Sequence, residues 1–104
     1  MPHISTHVLD VAAGKPAAGV RVELRGKSLI TNANGRTDEP LLTGDLLQPG
    51  RYEMVFHVGD YLRAGQSSPF YEAIAIQFVV ADGNRNYHVP LLLSPYGYST
   101  YLGS

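Results

Sequence analysis

The sequence predicts an all-β fold, a two-sheet β-sandwich of seven to eight strands with one short helix. Three observations carry that expectation. No segment sustains a helical period, and the apolar residues recur at period two, as in Val20-Arg21-Val22-Glu23-Leu24-Arg25. Eleven Gly and seven Pro divide the 104 residues into short runs. No linker, low-complexity stretch or internal repeat interrupts the pattern, so residues 1–104 read as a single domain.

The first strand covers Ile4 to Val11, and the second is the apolar-in, charged-out run from Val20 to Arg25. Gly26-Lys27 then makes a tight turn into a strand from Ser28 to Thr31. Asn34-Gly35 is the strongest short turn signal, since both residues tolerate positive φ. From Arg51 to Val58, Tyr52, Met54, Phe56 and Val58 face one way, while Arg51, Glu53 and His57 face the other. Asp60 to Ala64 forms one short helical turn with Gly65 as its stop. Glu72 to Val80 puts Ile74, Ile76, Phe78 and Val80 on one face. After the turn Asp82-Gly83-Asn84 come strands from Asn86 to Leu93 and, past Ser94-Pro95, from Tyr96 to Leu102.

Composition narrows the function classes. Eight Lys+Arg against nine Asp+Glu leave a net charge of −1, which offers no field for nucleic acid or an anionic membrane. No apolar run approaches the roughly 18 residues of a spanning helix. Met1-Pro2-His3-Ile4 lacks the basic and apolar regions of a secretory signal. The absence of cysteine excludes a disulfide framework, thiol catalysis and Cys-ligated zinc. With no peroxisomal terminal tripeptide either, the expected compartment is the cytoplasm. The charged fraction of 16% lies below the roughly 25% of ordinary soluble domains, which points to surface covered by another protein surface.

Parity sorts the histidines. Tyr87, Val89, Leu91 and Leu93 form an unbroken apolar row facing the core, so His88, Pro90 and Leu92 point away from it. A histidine beside an apolar residue on an outer sheet face suits an interface or a pocket. On the first strand His7 shares a face with Ser5 and Leu9, and both faces carry apolar residues. His57, alongside Arg51 and Glu53, reads as a solvated surface histidine. His3 and His7 lie on one face, but no third ligand or spaced carboxylate completes a metal site, so no metal is expected. Arg36 is an ordinary strand-start arginine unless it converges on a histidine, where it becomes an anion clamp. No nucleophile elbow, phosphate-binding loop, dinucleotide fingerprint or His-Glu-x-x-His occurs.

Two segments carry more than pattern. His7-Val8-Leu9-Asp10 followed by Gly14-Lys15-Pro16-Ala17 resembles the first transthyretin-family signature. Tyr87-His88-Val89-Pro90-Leu91-Leu92-Leu93-Ser94-Pro95-Tyr96-Gly97-Tyr98-Ser99 resembles the second. Asn34-Gly35-Arg36-Thr37-Asp38 and the final Tyr101-Leu102-Gly103-Ser104 resemble the 5-hydroxyisourate hydrolase branch of that family. Transthyretin itself has lysine and threonine where His7 and His88 stand. The resemblance covers nearly the whole chain and implies the transthyretin-like (prealbumin-like) sandwich. It implies hydrolysis of the 5-hydroxyisourate ring to 2-oxo-4-hydroxy-4-carboxy-5-ureidoimidazoline in urate breakdown, with no metal or organic cofactor. It also implies a homotetramer, a dimer of dimers with the active sites where the dimers meet.

On that resemblance the catalytic residues are His7, Arg36 and His88. Tyr101 and Ser104 of the tail, with Leu9, Pro90 and Ser99 on the same faces, are the candidate substrate-binding residues. Opening a ring amide needs a base for water, an acid for the departing nitrogen and a cation for the oxyanion. Two histidines and a buried guanidinium answer that need. Two departures stand out. Leu102 occupies a position where the branch usually has arginine, which leaves open a non-catalytic ligand-binding protein with a weakened or lost active site. The stretch between Leu24 and Thr31 is several residues shorter than the family's second hairpin.

Overall fold

In a computed structural model of the chain, residues 2–65 and 69–103 are described. The strand β1 (His3–Asp10) buries Ile4, Thr6 and Val8, while His3, Ser5, His7 and Leu9 stay half-buried, the alternation expected of a pleated strand. It begins one residue before the expected position and ends one before Val11. It pairs antiparallel with two-residue strands at each end, β2 (Lys15–Pro16) and β5 (Leu42–Thr43).

Strands β3 (Arg21–Leu24) and β4 (Lys27–Ile30) form a hairpin with Leu24 opposite Lys27. The turn is Arg25-Gly26 rather than Gly26-Lys27, with φ of 51° and 80°. Positive φ at both central residues is the turn geometry that matches the twist of two antiparallel strands, and it moves the connection one residue earlier. The arginine in this unusual conformation donates to the Arg51 carbonyl at 2.9 Å and lies 4.1 Å over the Tyr52 ring.

A single 3-10 turn at Gly44–Leu46 leads to β6 (Gly50–His57), and α1 (Gly59–Ala64) follows. Gly65 ends α1 with φ −81°, so the stop is not the left-handed cap. Leu62 of α1 is buried, and the Tyr61 hydroxyl donates to Asp10 Oδ2 at 2.7 Å. Burial, helped by that hydrogen bond and by the Asp10 charge, pushes the Tyr61 phenol up to about 12. Three further strands complete the chain: β7 (Ile74–Val80), β8 (Tyr87–Ser94) and β9 (Gly97–Thr100). Among the described residues the strands number nine, against the seven to eight expected, because two-residue β2 and β5 are included.

The strands make two sheets. One runs β2-β1-β8-β9 with β5 also on β1, and the other runs β4-β3-β6-β7. The β1–β8 pair is parallel, from Ile4 opposite Tyr87 to Asp10 opposite Leu93. The other pairings are antiparallel. Between the sheets Ile4, Val8, Leu91 and Leu93 meet Val22, Leu24, Met54 and Phe56, all essentially without solvent contact. Full burial of each such side chain contributes about 1.5–3 kcal/mol. The buried threonines are satisfied: Thr6 donates to the Val89 carbonyl at 2.6 Å, and Thr31 donates to the Ala17 carbonyl at 2.8 Å. Among the described residues, no helix is long and apolar enough to cross a membrane.

Candidate active site

The core-facing residues of β1 and β8 fix what their neighbours must do. With Ile4, Thr6 and Val8 inward on β1 and Val89, Leu91 and Leu93 inward on β8, the intervening residues line the outer face. Parallel register then aligns them across the strands: Ser5 with His88, His7 with Pro90, and Leu9 with Leu92. On the far side β9 adds Ser99 opposite Leu92.

Two isolated bridges complete the arrangement. His7 pairs with Arg36, and His88 pairs with Gly103. The outer face therefore carries one rung of Ser5, His88 and Gly103 and another of Arg36, His7 and Pro90, two residues further along. Leu9, Leu92 and Ser99 form the next rung. His7, Arg36, His88, Leu9, Pro90 and Ser99, all named from the sequence, thus lie on one face. Pro90 is buried there even though it points away from the core.

Arg36 reaches this face because of the turn before it. Asn32 organises that turn: its Oδ1 accepts from the Asn34 amide at 2.9 Å and the Arg36 amide at 3.3 Å, and its carbonyl accepts from the Gly35 amide at 2.9 Å. Gly35 has φ of 76°, and a Cβ there would stand 2.4 Å from the Val8 carbonyl oxygen and 3.1 Å from His7 Cδ2. Only glycine lets this segment approach β1 closely enough for the Val8 amide to donate to the Gly35 carbonyl at 2.8 Å. The Asn34-Gly35 signal located the turn; Asn32 was not singled out, although an Asx residue two places before a turn is the available cue.

The Arg36 residue is exposed in the isolated chain, not buried as the chemistry had suggested, and among the described residues no ion pair or side-chain hydrogen bond engages its guanidinium. It borders an open cleft of about 140 Å³ together with His3, Ser5 and Asp38. His7 Nε2 is buried and has no hydrogen-bond partner among the described residues. His88 is half-buried, and Ser5 Oγ lies 2.8 Å from its Nδ1. Burial, with Arg36, His7 and His3 adding positive charge, holds the His88 imidazole below the ordinary histidine value of 6.5. It is neutral at pH 7.

Two glycines pack on the two rings. Gly35 stands against the Cδ2 edge of His7. A Cβ at Gly103 would lie 2.7 Å from Cδ2 of His88. The Gly103 amide donates to the His88 carbonyl at 2.7 Å, which brings the tail back to β8. Sequence reasoning included Gly103 in the tail motif without foreseeing its contact with His88, and it did not name Ser5 as a partner of that ring.

The tail residues differ in placement. Regular pairing of β9 ends at Thr100, but the Gly103–His88 bridge continues its register, so Tyr101 falls level with Pro90 and Leu102 with Val89. Both are just over half exposed, at 55% for Tyr101 and 56% for Leu102, and both flank an apolar groove with Phe78, Val79 and Val89. Leu102 therefore has apolar neighbours where an arginine was expected. Ser104 lies outside the described residues.

His57, expected to be solvated, is instead half-buried and paired with Glu23, which also takes Arg21 at 2.8 Å. Register explains it: Arg21 faces His57 and Glu23 faces Val55 across the β3–β6 pair, so the three side chains share one outer face. Among the described residues, no group of three or more His, Cys, Asp or Glu is arranged to hold a metal ion.

Comparison with known proteins gives this geometry its context. A 5-hydroxyisourate hydrolase of Deinococcus radiodurans is 46% identical over 115 residues, covering 99% of this chain and 97% of that protein. The aligned span exceeds this chain's 104 residues, so the relative carries residues absent here. The structure of Klebsiella pneumoniae 5-hydroxyisourate hydrolase superposes with a TM-score of 0.86 at 35% identity, covering 100% of each chain. That of (S)-allantoin synthase reaches 0.93 at 34% identity, covering 99% of this chain, which spans only 44% of that one. Sea bream transthyretin in complex with thyroxine reaches 0.86 at 28% identity, covering 96% of this chain and 93% of that one. The sequence model of the HIUase/Transthyretin family matches residues 4–103, and the chain belongs to that family.

Proposed function

We propose that this protein hydrolyses the ring of 5-hydroxyisourate to 2-oxo-4-hydroxy-4-carboxy-5-ureidoimidazoline, with His7, Arg36 and His88 as its catalytic residues. The observation that carries the reading is the convergence of two imidazoles and a guanidinium, without an ion pair among the described residues, on one outer sheet face. Full-length identity to proteins named 5-hydroxyisourate hydrolase supports the choice of substrate over other ring amides.

The chemistry follows from the neutral His88 ring and the placement of the two other side chains. His88, neutral at pH 7, accepts a proton from water as the water oxygen bonds to the ring carbonyl carbon. The carbonyl oxygen becomes an oxyanion, which the Arg36 guanidinium stabilises with a charge-assisted hydrogen bond. Collapse breaks the ring carbon–nitrogen bond, and the nitrogen takes a proton from His7, whose buried Nε2 has no hydrogen-bond partner among the described residues. The product carries the new carboxylate. Tyr101, Ser99 and Ser104 offer hydroxyls to the substrate, while Leu9 and Pro90 wall it.

The reading extends to a cytoplasmic homotetramer. Leu9 and Leu92 remain half-exposed beside the histidines, and Arg36 is exposed in the single chain, so a second subunit packed on this face would desolvate the site. Leu102 favours a second reading, a ligand-binding protein that keeps the site face without turnover. Freshly generated 5-hydroxyisourate, followed by its ultraviolet decay, decides between them. The wild-type protein should accelerate decay, and His88→Asn should lose about 10²–10⁴-fold of that acceleration. Decay equal to buffer with the wild-type protein refutes hydrolysis.

A further inference from the structure

We infer that Ser5 is a positioning residue for His88, holding Nδ1 so that Nε2 is the nitrogen presented to substrate. The inference deepens the proposed function and rests on it. Three contacts carry it. Ser5 is the cross-strand partner of His88 in the parallel β1–β8 pair, so its side chain rises from the same face. Its Oγ lies 2.8 Å from Nδ1. Gly103 closes the Cδ2 edge of the same ring, with its amide on the His88 carbonyl at 2.7 Å. The imidazole is thus bonded at one nitrogen and walled at one edge.

The tautomer then follows from the work asked of the ring. For Nε2 to take a proton from water, its lone pair must be free and Nδ1 must carry the hydrogen. Nδ1–H then needs an acceptor, and Ser5 Oγ occupies that position. When Nε2 is protonated, the same oxygen accepts from the imidazolium, which stabilises the charge formed during the step. A serine serves because its oxygen is short-tethered to a strand that is itself fixed by the buried Thr6 and Ile4 on either side. The charged and titratable described groups around the ring are Arg36, His7 and His3, and none of them supplies an acceptor anion.

Two variants and two readouts test the inference. Ser5→Ala removes the oxygen, and Ser5→Thr retains a hydroxyl on a residue suited to a strand. A hydrogen bond to an ionising group is the interaction at stake, so kcat on 5-hydroxyisourate should fall about 10-fold in Ser5→Ala with KM within about twofold. Ser5→Thr should stay within about threefold of wild type. Nitrogen-15 NMR of the histidine rings, which needs no substrate, should show the His88 Nδ1 resonance moving in Ser5→Ala and returning in Ser5→Thr. In the same spectra the His88 titration midpoint should drop in Ser5→Ala, because the imidazolium loses its acceptor. Unchanged kcat and unchanged His88 nitrogens in Ser5→Ala overturn the inference, as does equal loss of activity in both variants. A wild-type protein without turnover whose Nδ1 resonance still responds to Ser5→Ala refutes the hydrolase reading and leaves the positioning contact standing.

Discussion

Replacing Gly103 with alanine places one methyl group against the ring of His88. The added Cβ would lie 2.7 Å from Cδ2 and 3.3 Å from Cγ, with the His88 carbonyl oxygen also at 3.3 Å. Ordinary contact between carbon atoms begins near 3.5 Å, so ring and tail must separate by about 0.8 Å. The ring is tied at Nδ1 by Ser5 at 2.8 Å, and a displacement of that size either stretches this bond beyond useful length or detaches the tail. Misplacing a reacting group by about 1 Å costs on the order of 100-fold in rate. Gly103→Ala is therefore expected to lower kcat by about 10- to 100-fold. Its stability cost should stay near 1 kcal/mol, since the Gly103 amide bond to the His88 carbonyl is the contact at stake and none of Tyr101, Leu102 and Gly103 is buried in the core. The assay is the ultraviolet decay of 5-hydroxyisourate at saturating substrate, paired with a thermal melt. Activity within twofold of wild type, with an unchanged melt, would show that the Gly103 contact does not set the position of His88.

Two other perturbations probe the same face. Gly35→Ala combines a left-handed backbone, costing about 1–2 kcal/mol, with a Cβ 2.4 Å from the Val8 carbonyl that breaks the Val8–Gly35 hydrogen bond, about 1 kcal/mol more. The melting temperature should fall by roughly 10 °C or more, and an unchanged melt rejects the close approach. For His88, the ring-proton titration should have its midpoint below 6.5, because burial and then Arg36, His7 and His3 oppose the charged form. Since the folded state resists this proton, the unfolded chain binds it first, and stability declines as pH falls through 6.5 toward the folded value. A midpoint at or above 6.5 contradicts this assignment, and Arg36→Gln should move the midpoint upward.

The faces of the strands were legible in the sequence because side-chain parity is a local property of the backbone. Tyr87, Val89, Leu91 and Leu93 turn inward, and that alone put His88 on the outer face; for His7 parity gave a face shared with Ser5 and Leu9 on a strand with apolar residues on both sides. The Asn34-Gly35 turn was legible for a similar reason, since positive φ is a single-residue preference. The hairpin turn shifted by one residue because strand pairing at Leu24 and Lys27, rather than the position of glycine alone, chooses which residues bridge.

Parity within one strand says nothing about register between strands, and register is what assembled the site. Ser5 and His88 are separated by 83 positions and meet because β1 lies parallel to β8 with Ile4 level with Tyr87. A slip of one residue would have turned the opposing side chains to the other face. Arg36 and Gly103 join through isolated bridges that leave no periodic trace, one permitted by the absence of a Cβ at Gly35 and the other closing against the His88 ring. The low charged fraction pointed to a covered surface without locating it, and only the folded chain brings the exposed Arg36 beside half-exposed Leu9 and Leu92. The sequence by itself determined which side chains face outward; packing of two sheets around Phe56, Met54 and Leu91 decided which of them became neighbours, because only the buried faces constrain how the strands align.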